Sequence, residues 1–207
     1  MKLYTAHNAC ALACHIALAE SGLPFTVEHV NLGTKKTAGG VDFRTINSRG
    51  YVPALEIDGV HGHAAEILTE GVAIMTFIAE RAPQANLIPT TSMMSRYRFV
   101  ETMNYLSTEI HKGFSILWSK SAPEEQKAAQ RDVLGNKFSW IASQLEGKSF
   151  LFGNDFSVAD GYLFTLLGWT KVTGIELNKW PTLVSFCDRV AARPAIKAVI
   201  EAEAIKV

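Results

Sequence analysis

The chain has few cysteines, no excess of charge and no long apolar run, and each absence narrows what it can be. Its 207 residues include three cysteines, Cys10, Cys14 and Cys187. A small, odd number gives no disulfide framework and points to a reducing, cytoplasmic setting. Lys plus Arg and Asp plus Glu each number 20. That balance argues against a nucleic-acid surface and against an acidic tail, while leaving room for a local charge that holds a small anion. Apolar runs break well short of the ~18 residues a membrane span needs, so no membrane partner is expected. Met1 to His7 carries no apolar stretch of the signal-peptide kind. Repeats and low-complexity segments are absent too. What is there is a composition 48% hydrophobic and 19% charged, enough to build the core of one large domain or two small ones.

Periodicity then orders the chain. Residues 2–6 read as a strand. From Ala9 the pattern is helical, with Leu12, Ile16 and Ala19 on one face, until Ser21-Gly22-Leu23-Pro24 stops it. Residues 25–30 alternate and are β-branched, as in a strand. Residues 33–40 read as a polar loop with Lys35 and Lys36, and residues 42–46 as a short helix. Asn47-Ser48-Arg49-Gly50-Tyr51 is turn chemistry ahead of Val52-Pro53 and a strand at 54–57. Asp58-Gly59 marks another turn, followed by a Gly/His-rich loop with His61 and His63. A strand at 67–68 and a helix at 70–81, with Val72, Ile74, Met75, Ile78 and Ala79 on its apolar side, complete a β-α-β-(α)-β-β-α order. Such an order fits a small α/β domain over residues 1–82, in which an antiparallel tail joins a parallel core. Residues 83–89 form a linker between two prolines. Beyond it only helices are expected, at 92–120, 123–145, 158–173, 182–192 and 194–202. These define an all-α domain over 90–207, with Trp118, Trp140, Trp169 and Trp180 in its core.

Several residues carry chemistry. Cys10 follows the first strand at the start of a helix, where free N–H groups and about half a positive charge favour a thiolate or a bound anion. A free thiol has a pKa of about 8.5, which a helix N-terminus lowers. By position alone Cys10 is either a reactive thiol or a small residue filling a strand–helix junction. Cys14 shares its face one turn on, and a Cys-x3-Cys disulfide within one turn is distorted, so Cys14 reads as core. A cis bond before Pro53 would offer the Val52 backbone to an extended peptide, and an ordinary strand-starting proline is the alternative. Thr69-Glu70-Gly71 opens a helix. Its N–H groups suit a carboxylate and Glu70 an ammonium, although a first-turn Glu also simply complements the helix dipole. Asn104, Thr108, His111 and Ser115 share a helical face as the polar wall of a cleft or as a plain exposed surface. Ser157-Val158-Ala159-Asp160 is a capping box that concerns folding. His61 and His63 lack a third ligand nearby, so no metal is expected.

Taken together, Met1-Lys2-Leu3-Tyr4, Ala9-Cys10-Ala11-Leu12, the run from Gly50 to Leu55, the run from Leu68 to Ile74, the run from Glu109 to Phe114 and the run from Phe156 to Phe164 resemble the glutathione transferase family, most of all its bacterial beta class. The resemblance spans essentially the whole chain. It implies a thioredoxin-like domain followed by an α-helical domain, a homodimer, and glutathione as co-substrate with no other cofactor. It implies that Val52, beside Tyr51, pairs with the cysteinyl backbone of glutathione. Glu70 and Gly71 then hold the γ-glutamyl end and Lys35 lies near the other carboxylate. Cys10 and His111 act at the sulfur, with Asn104, Thr108 and Lys112 bordering the site. A small hydrophobic electrophile would lie near Tyr4, His7, Ser115 and Trp118. The expected activity is conjugation of the glutathione thiolate to apolar electrophiles, with thiol–disulfide exchange at Cys10, and a non-catalytic binding module is the alternative. The chain departs from the family where His7-Asn8 replaces a common Pro-Gly turn, Ser48 a usual Pro and Tyr51 a usual Gln. The loop at 59–66 is also long, and Gly161 stands after the capping box.

Overall fold

The computed structural model describes residues 1–59, 64–89 and 92–203. His61 and His63 lie outside them. The chain divides into two compact units, one of residues 1–87 with 194–207, the other of residues 88–193. The last helix therefore groups with the first unit, where a single helical domain over 90–207 was expected. The reason is local: that helix packs on the first one.

The first unit is built on a five-stranded sheet of order β3-β2-β1-β4-β5. Strands β1 (Lys2–Thr5) and β2 (Thr26–Asn31) run parallel, in register Leu3 with Val27 and Thr5 with His29. Helix α1 (Ala11–Ser21) makes the crossover that parallel pairing requires. Strand β4 (Ala54–Ile57) lies antiparallel to β1, and β5 (Glu66–Thr69) antiparallel to β4. A two-residue strand β3 (Lys36–Thr37) lies within the segment expected to be a plain polar loop. Asp42 caps a 3₁₀ turn at Phe43–Thr45, where a short helix was expected. Helix α2 (Gly71–Arg81) buries Ile74, Met75, Ile78 and Ala79, as the periodicity predicts. Helix α1 differs from its amphipathic reading, because every residue from Ala11 to Leu18 is buried. Its small alanines let the sheet, α2 and the C-terminal helix approach it together.

The second unit contains α3 (Met93–Tyr105), α4 (Glu124–Gln144), α5 (Val158–Gly168), α6 (Thr170–Thr173) and α7 (Pro181–Ala191), and α8 (Pro194–Ala202) closes the chain. The helix expected to run to residue 120 ends earlier. After α3 the backbone widens into a π-helical segment, Leu106–His111, then tightens into a 3₁₀ turn, Lys112–Phe114. Gly113 lies so close to α4 that an added Cβ would meet Leu134 Cδ2 at 2.8 Å. Lys137 Nζ takes the Glu109 carbonyl at 3.1 Å and its carboxylate at 2.7 Å, beside the interrupted ladder. Two of the four tryptophans expected in the core are half-exposed, Trp118 at 47% and Trp140 at 50%.

Helix α5 is buried from Val158 to Leu167. Its start is pinned by Asp160, which is fully buried. One carboxylate oxygen accepts the Leu151 amide at 2.8 Å, the other the Ser157 amide at 2.8 Å and hydroxyl at 2.7 Å. Burial still pushes its pKa from 3.8 up to about 6, against these hydrogen bonds. The folded chain thus holds this proton more tightly than the unfolded one, so the stability it contributes is full at low pH and declines as pH rises toward 6. Asp160→Ala, which strands three donors, should lower unfolding stability at pH 7 by about 3 kcal/mol in urea denaturation. The variant should also lack the wild-type decline between pH about 4 and 6.

Candidate active site

In the first unit the chemistry gathers at the N-termini of α1 and α2. Cys10 is the residue before α1, with φ −61° and ψ −17°. Its thiol donates to the Val52 carbonyl, Sγ to oxygen 3.6 Å. One turn on, Cys14 is fully buried and its Sγ lies 3.8 Å from the carbonyl of Gly71, the first residue of α2. Cys14 is core, as expected, and Cys10 is the half-buried thiol of the two.

Val52–Pro53 is a cis peptide. Because β4 begins at Ala54, Val52 lies outside the sheet's ladder. The turn ahead of it is fixed by Asn47, a residue the sequence reading treated only as turn chemistry. Its buried side chain donates to the Tyr51 carbonyl at 2.7 Å and accepts the Arg49 amide at 3.2 Å. Lys35 Nζ donates to the Gly50 carbonyl at 3.0 Å and stands 5.6 Å above the exposed Tyr51 ring. Lys35, Tyr51, Val52 and Cys10 are thereby brought together.

Glu70 differs from its expected place in the first helical turn. It precedes α2 at φ 71° and ψ 117°, a conformation that costs a non-glycine residue on the order of 1–3 kcal/mol. Its exposed carboxylate pairs with the guanidinium of Arg49. The only sequence signal for Arg49 is a basic residue inside the turn at 47–51.

The Cys10 thiol tests the helix-terminus argument directly. The amides of Cys10 and Ala11 do pull its pKa down, but desolvation outweighs them and raises it to about 11. The expected lowering is therefore corrected: without ligand, Cys10 is a thiol.

In the second unit, the face expected from Asn104, Thr108, His111 and Ser115 is split by the π-helical segment. Asn104, Thr108, Lys112 and Ser115 are exposed, and His111 is half-buried. Thr108 and Ser115 direct their hydroxyls to the backbone carbonyls of Asn104 and Lys112, at 3.0 and 2.7 Å. His111 Nδ1 meets the Tyr162 hydroxyl at 2.7 Å. Burial, then the charge of Lys112, lowers the His111 pKa, so its ring is neutral at pH 7. The ring stands edge-on to Trp169 at 5.0 Å, and Trp169 is edge-on to Trp118 at 5.9 Å.

Of the residues expected at an electrophile pocket, Tyr4 is buried and His7 is exposed within the first unit. Tyr4 is core, 3% exposed, with its ring 5.6 Å from Phe43 and its hydroxyl donating to Glu56 Oε2 at 2.6 Å. His7 is exposed, stacks on His29 and sets Nδ1 3.3 Å from the Glu203 carbonyl. Its neighbour Asn8 takes φ 58°, the left-handed turn conformation that asparagine tolerates best after glycine.

Known proteins share this fold. The family model for the glutathione S-transferase N-terminal domain matches residues 9–81, and that for the C-terminal domain matches residues 105–194. Glutathione S-transferase GstA of Escherichia coli O157:H7 is 38% identical over 206 residues, with all of both chains covered. The chain belongs to the glutathione S-transferase family. Among solved structures, a ternary complex of BphK, a bacterial glutathione S-transferase, is 40% identical with a TM-score of 0.93, over 99% of this chain and 100% of that one. The beta-class glutathione S-transferase of Sphingomonas chungbukensis is 39% identical with a TM-score of 0.92, each chain fully covered. This transferase therefore has the thioredoxin-like first domain and helical second domain of its family and lies with the bacterial beta class. Among the described residues no helix is long and apolar enough to cross a membrane.

A thiol with a pKa of about 11 makes a prediction for the ligand-free transferase. Alkylation of Cys10 by iodoacetamide, followed by peptide mass spectrometry, should be slow at pH 7. Its rate should rise about ten-fold per pH unit up to at least pH 9, because the thiolate is the nucleophile.

Proposed function

We propose that this transferase binds glutathione along the first unit and conjugates its thiolate to apolar electrophiles, with Cys10 as a hydrogen-bond donor at the sulfur. The observation that carries the reading is the Cys10 thiol at the N-terminus of α1, its Sγ 3.6 Å from the Val52 carbonyl. A bound thiolate gains the S–H of Cys10 together with the free N–H groups of the helix end. Val52 lies outside the ladder and so can pair with the glutathione cysteinyl backbone. The start of α2 suits the α-carboxylate of the γ-glutamyl group, and Glu70 its ammonium. Lys35 supplies a cation for the glycyl carboxylate. Glutathione is then a substrate, and the chemistry needs no resident cofactor.

In the second unit, His111 and Trp118, backed by the buried Trp169, offer an aromatic surface for the electrophile, with Ser115, Asn104, Thr108 and Lys112 as its polar surroundings. The neutral His111 can donate or accept without adding charge. Exposed Met93, Met94, Tyr97 and Val100 along α3 form an apolar stripe that supports a homodimer. Three free cysteines accord with the cytoplasm.

A second activity rests on Cys10 itself. Its thiolate attacks the glutathionyl sulfur of a mixed disulfide, releases the other thiolate, and is restored when a second glutathione thiolate displaces it as glutathione disulfide. With its pKa raised to about 11 by burial, Cys10 is mostly a thiol at pH 7, which slows its attack in this exchange.

Cys10→Ala should separate the two. Conjugation of 1-chloro-2,4-dinitrobenzene should fall less than about ten-fold, and turnover of a glutathionylated substrate should vanish. Complete loss of conjugation in the folded variant would assign Cys10 a covalent role instead. Glu70→Gln keeps shape and backbone but removes the charge. Glutathione affinity by calorimetry should drop about ten-fold or more while the melting temperature stays nearly constant, since an exposed pair contributes about 0–1 kcal/mol.

A further inference from the structure

Away from the glutathione-binding residues, three side chains with metal-ligating atoms converge in the first unit. His7 follows β1, His29 lies on β2, and Glu203 follows α8. One ligand atom from each lies within 4.8 Å of the others. The two imidazoles stack with centroids 4.4 Å apart and planes 19° apart. His7 Nδ1 is 3.7 Å from Glu203 Oε2. The Glu203 side chain is 2% exposed, and its other oxygen, Oε1, is held 2.9 Å from Nδ1 of the buried His15. His29 Nδ1 is buried with no hydrogen-bond partner among the described residues. The other buried side-chain atom in that condition is Thr5 Oγ1, and Thr5 is the residue registered against His29 in the sheet. A buried carboxylate facing two imidazoles, with polar atoms left unpaired beside it, is costly as it stands.

We propose that His7, His29 and Glu203 form a binding site for a divalent transition-metal ion of the zinc type. Two nitrogens and one carboxylate oxygen suit a borderline-soft ion, whereas magnesium and calcium prefer oxygen throughout. The His7 side chain is 62% exposed, so its ring can turn off the stack to close on the ion and leave a fourth position for water. His15 fixes the carboxylate through Oε1 and leaves Oε2 to the metal, the role an outer partner plays in metal sites. The ion would tie β2 and the turn after β1 to the C-terminal helix, three residues from Cys10. The site goes beyond glutathione transfer and does not rest on it.

The test uses untagged protein and zinc ion alone, by equilibrium dialysis with metal analysis, and cobalt ion as a spectroscopic probe. Wild type should bind one equivalent of zinc, give the visible absorption of four-coordinate cobalt, and melt at a higher temperature in excess zinc. His7→Ala alters an exposed residue and should fold. It and Glu203→Gln should each weaken binding about ten-fold or more and remove the thermal shift. The double variant His61→Ala, His63→Ala and the single variant Cys10→Ser should bind zinc as wild type does. Absence of binding at millimolar zinc, unchanged affinity in His7→Ala, or loss of binding in the His61/His63 or Cys10 variants would each overturn the proposal.

Discussion

A helix buried on every side sets the terms for the first unit. Helix α1 is covered by the sheet, α2 and α8, so its body tolerates only small or apolar residues, and polar groups within it need partners of their own. His15 has one in Glu203. Cys14 meets only a carbonyl, at 3.8 Å, as a weak donor. The end of the helix is the one place where it can present chemistry, and Cys10 stands there. The close packing that makes the fold therefore leaves a half-buried thiol at the strand–helix junction.

At that junction two electrostatic effects oppose each other. A helix N-terminus favours a thiolate, and removal from water disfavours it. Burial wins at Cys10, and this outcome bears on the two roles proposed for it. A thiol that stays protonated is a donor that can stabilise a neighbouring thiolate, and a poor nucleophile itself. The same reasoning applies to His111. Burial lowers its pKa, and the ring stands among aromatic side chains that favour its neutral form.

The α/β first domain, the helical second domain and the packed Cys14 were legible in the sequence because each rests on a local rule, whereas the cis Val52–Pro53 bond followed only from the family resemblance, an ordinary strand-starting proline being equally open from the residues alone. The failures arose where tertiary packing overrode such rules. The 3.6-residue period through 92–120 held only as far as Tyr105, where close approach at Gly113 and the Lys137–Glu109 contact accompany a wider helical turn. Glu70 was placed inside a helix because nothing local forces a residue into φ 71°. Tyr4, expected near the electrophile, is core because β1 is the central strand and is covered on both faces, Leu3, Tyr4 and Thr5 all being buried. His7, His29 and Glu203 are far apart in sequence and drew no notice as a set. Even the helix-terminus rule at Cys10 was correctly applied and then outweighed by burial, which only three dimensions supply.

The turn between β1 and α1 shows how a departure from a family pattern can keep the backbone and change the chemistry. His7-Asn8 stands where Pro-Gly is usual. Asn8 adopts φ 58°, a left-handed conformation open to glycine and asparagine, and Cys10 follows two residues on at the helix end. The change at position 7 acts differently. A proline ring there could accept or donate nothing, whereas an imidazole stacks on His29 and approaches the buried carboxylate of Glu203. Glu203 in turn is already committed to His15 inside α1, so the substitution adds a partner to a polar group that the fold had to place anyway. The turn geometry answers to Cys10, and the side chain at position 7 is left to answer to the C-terminal helix.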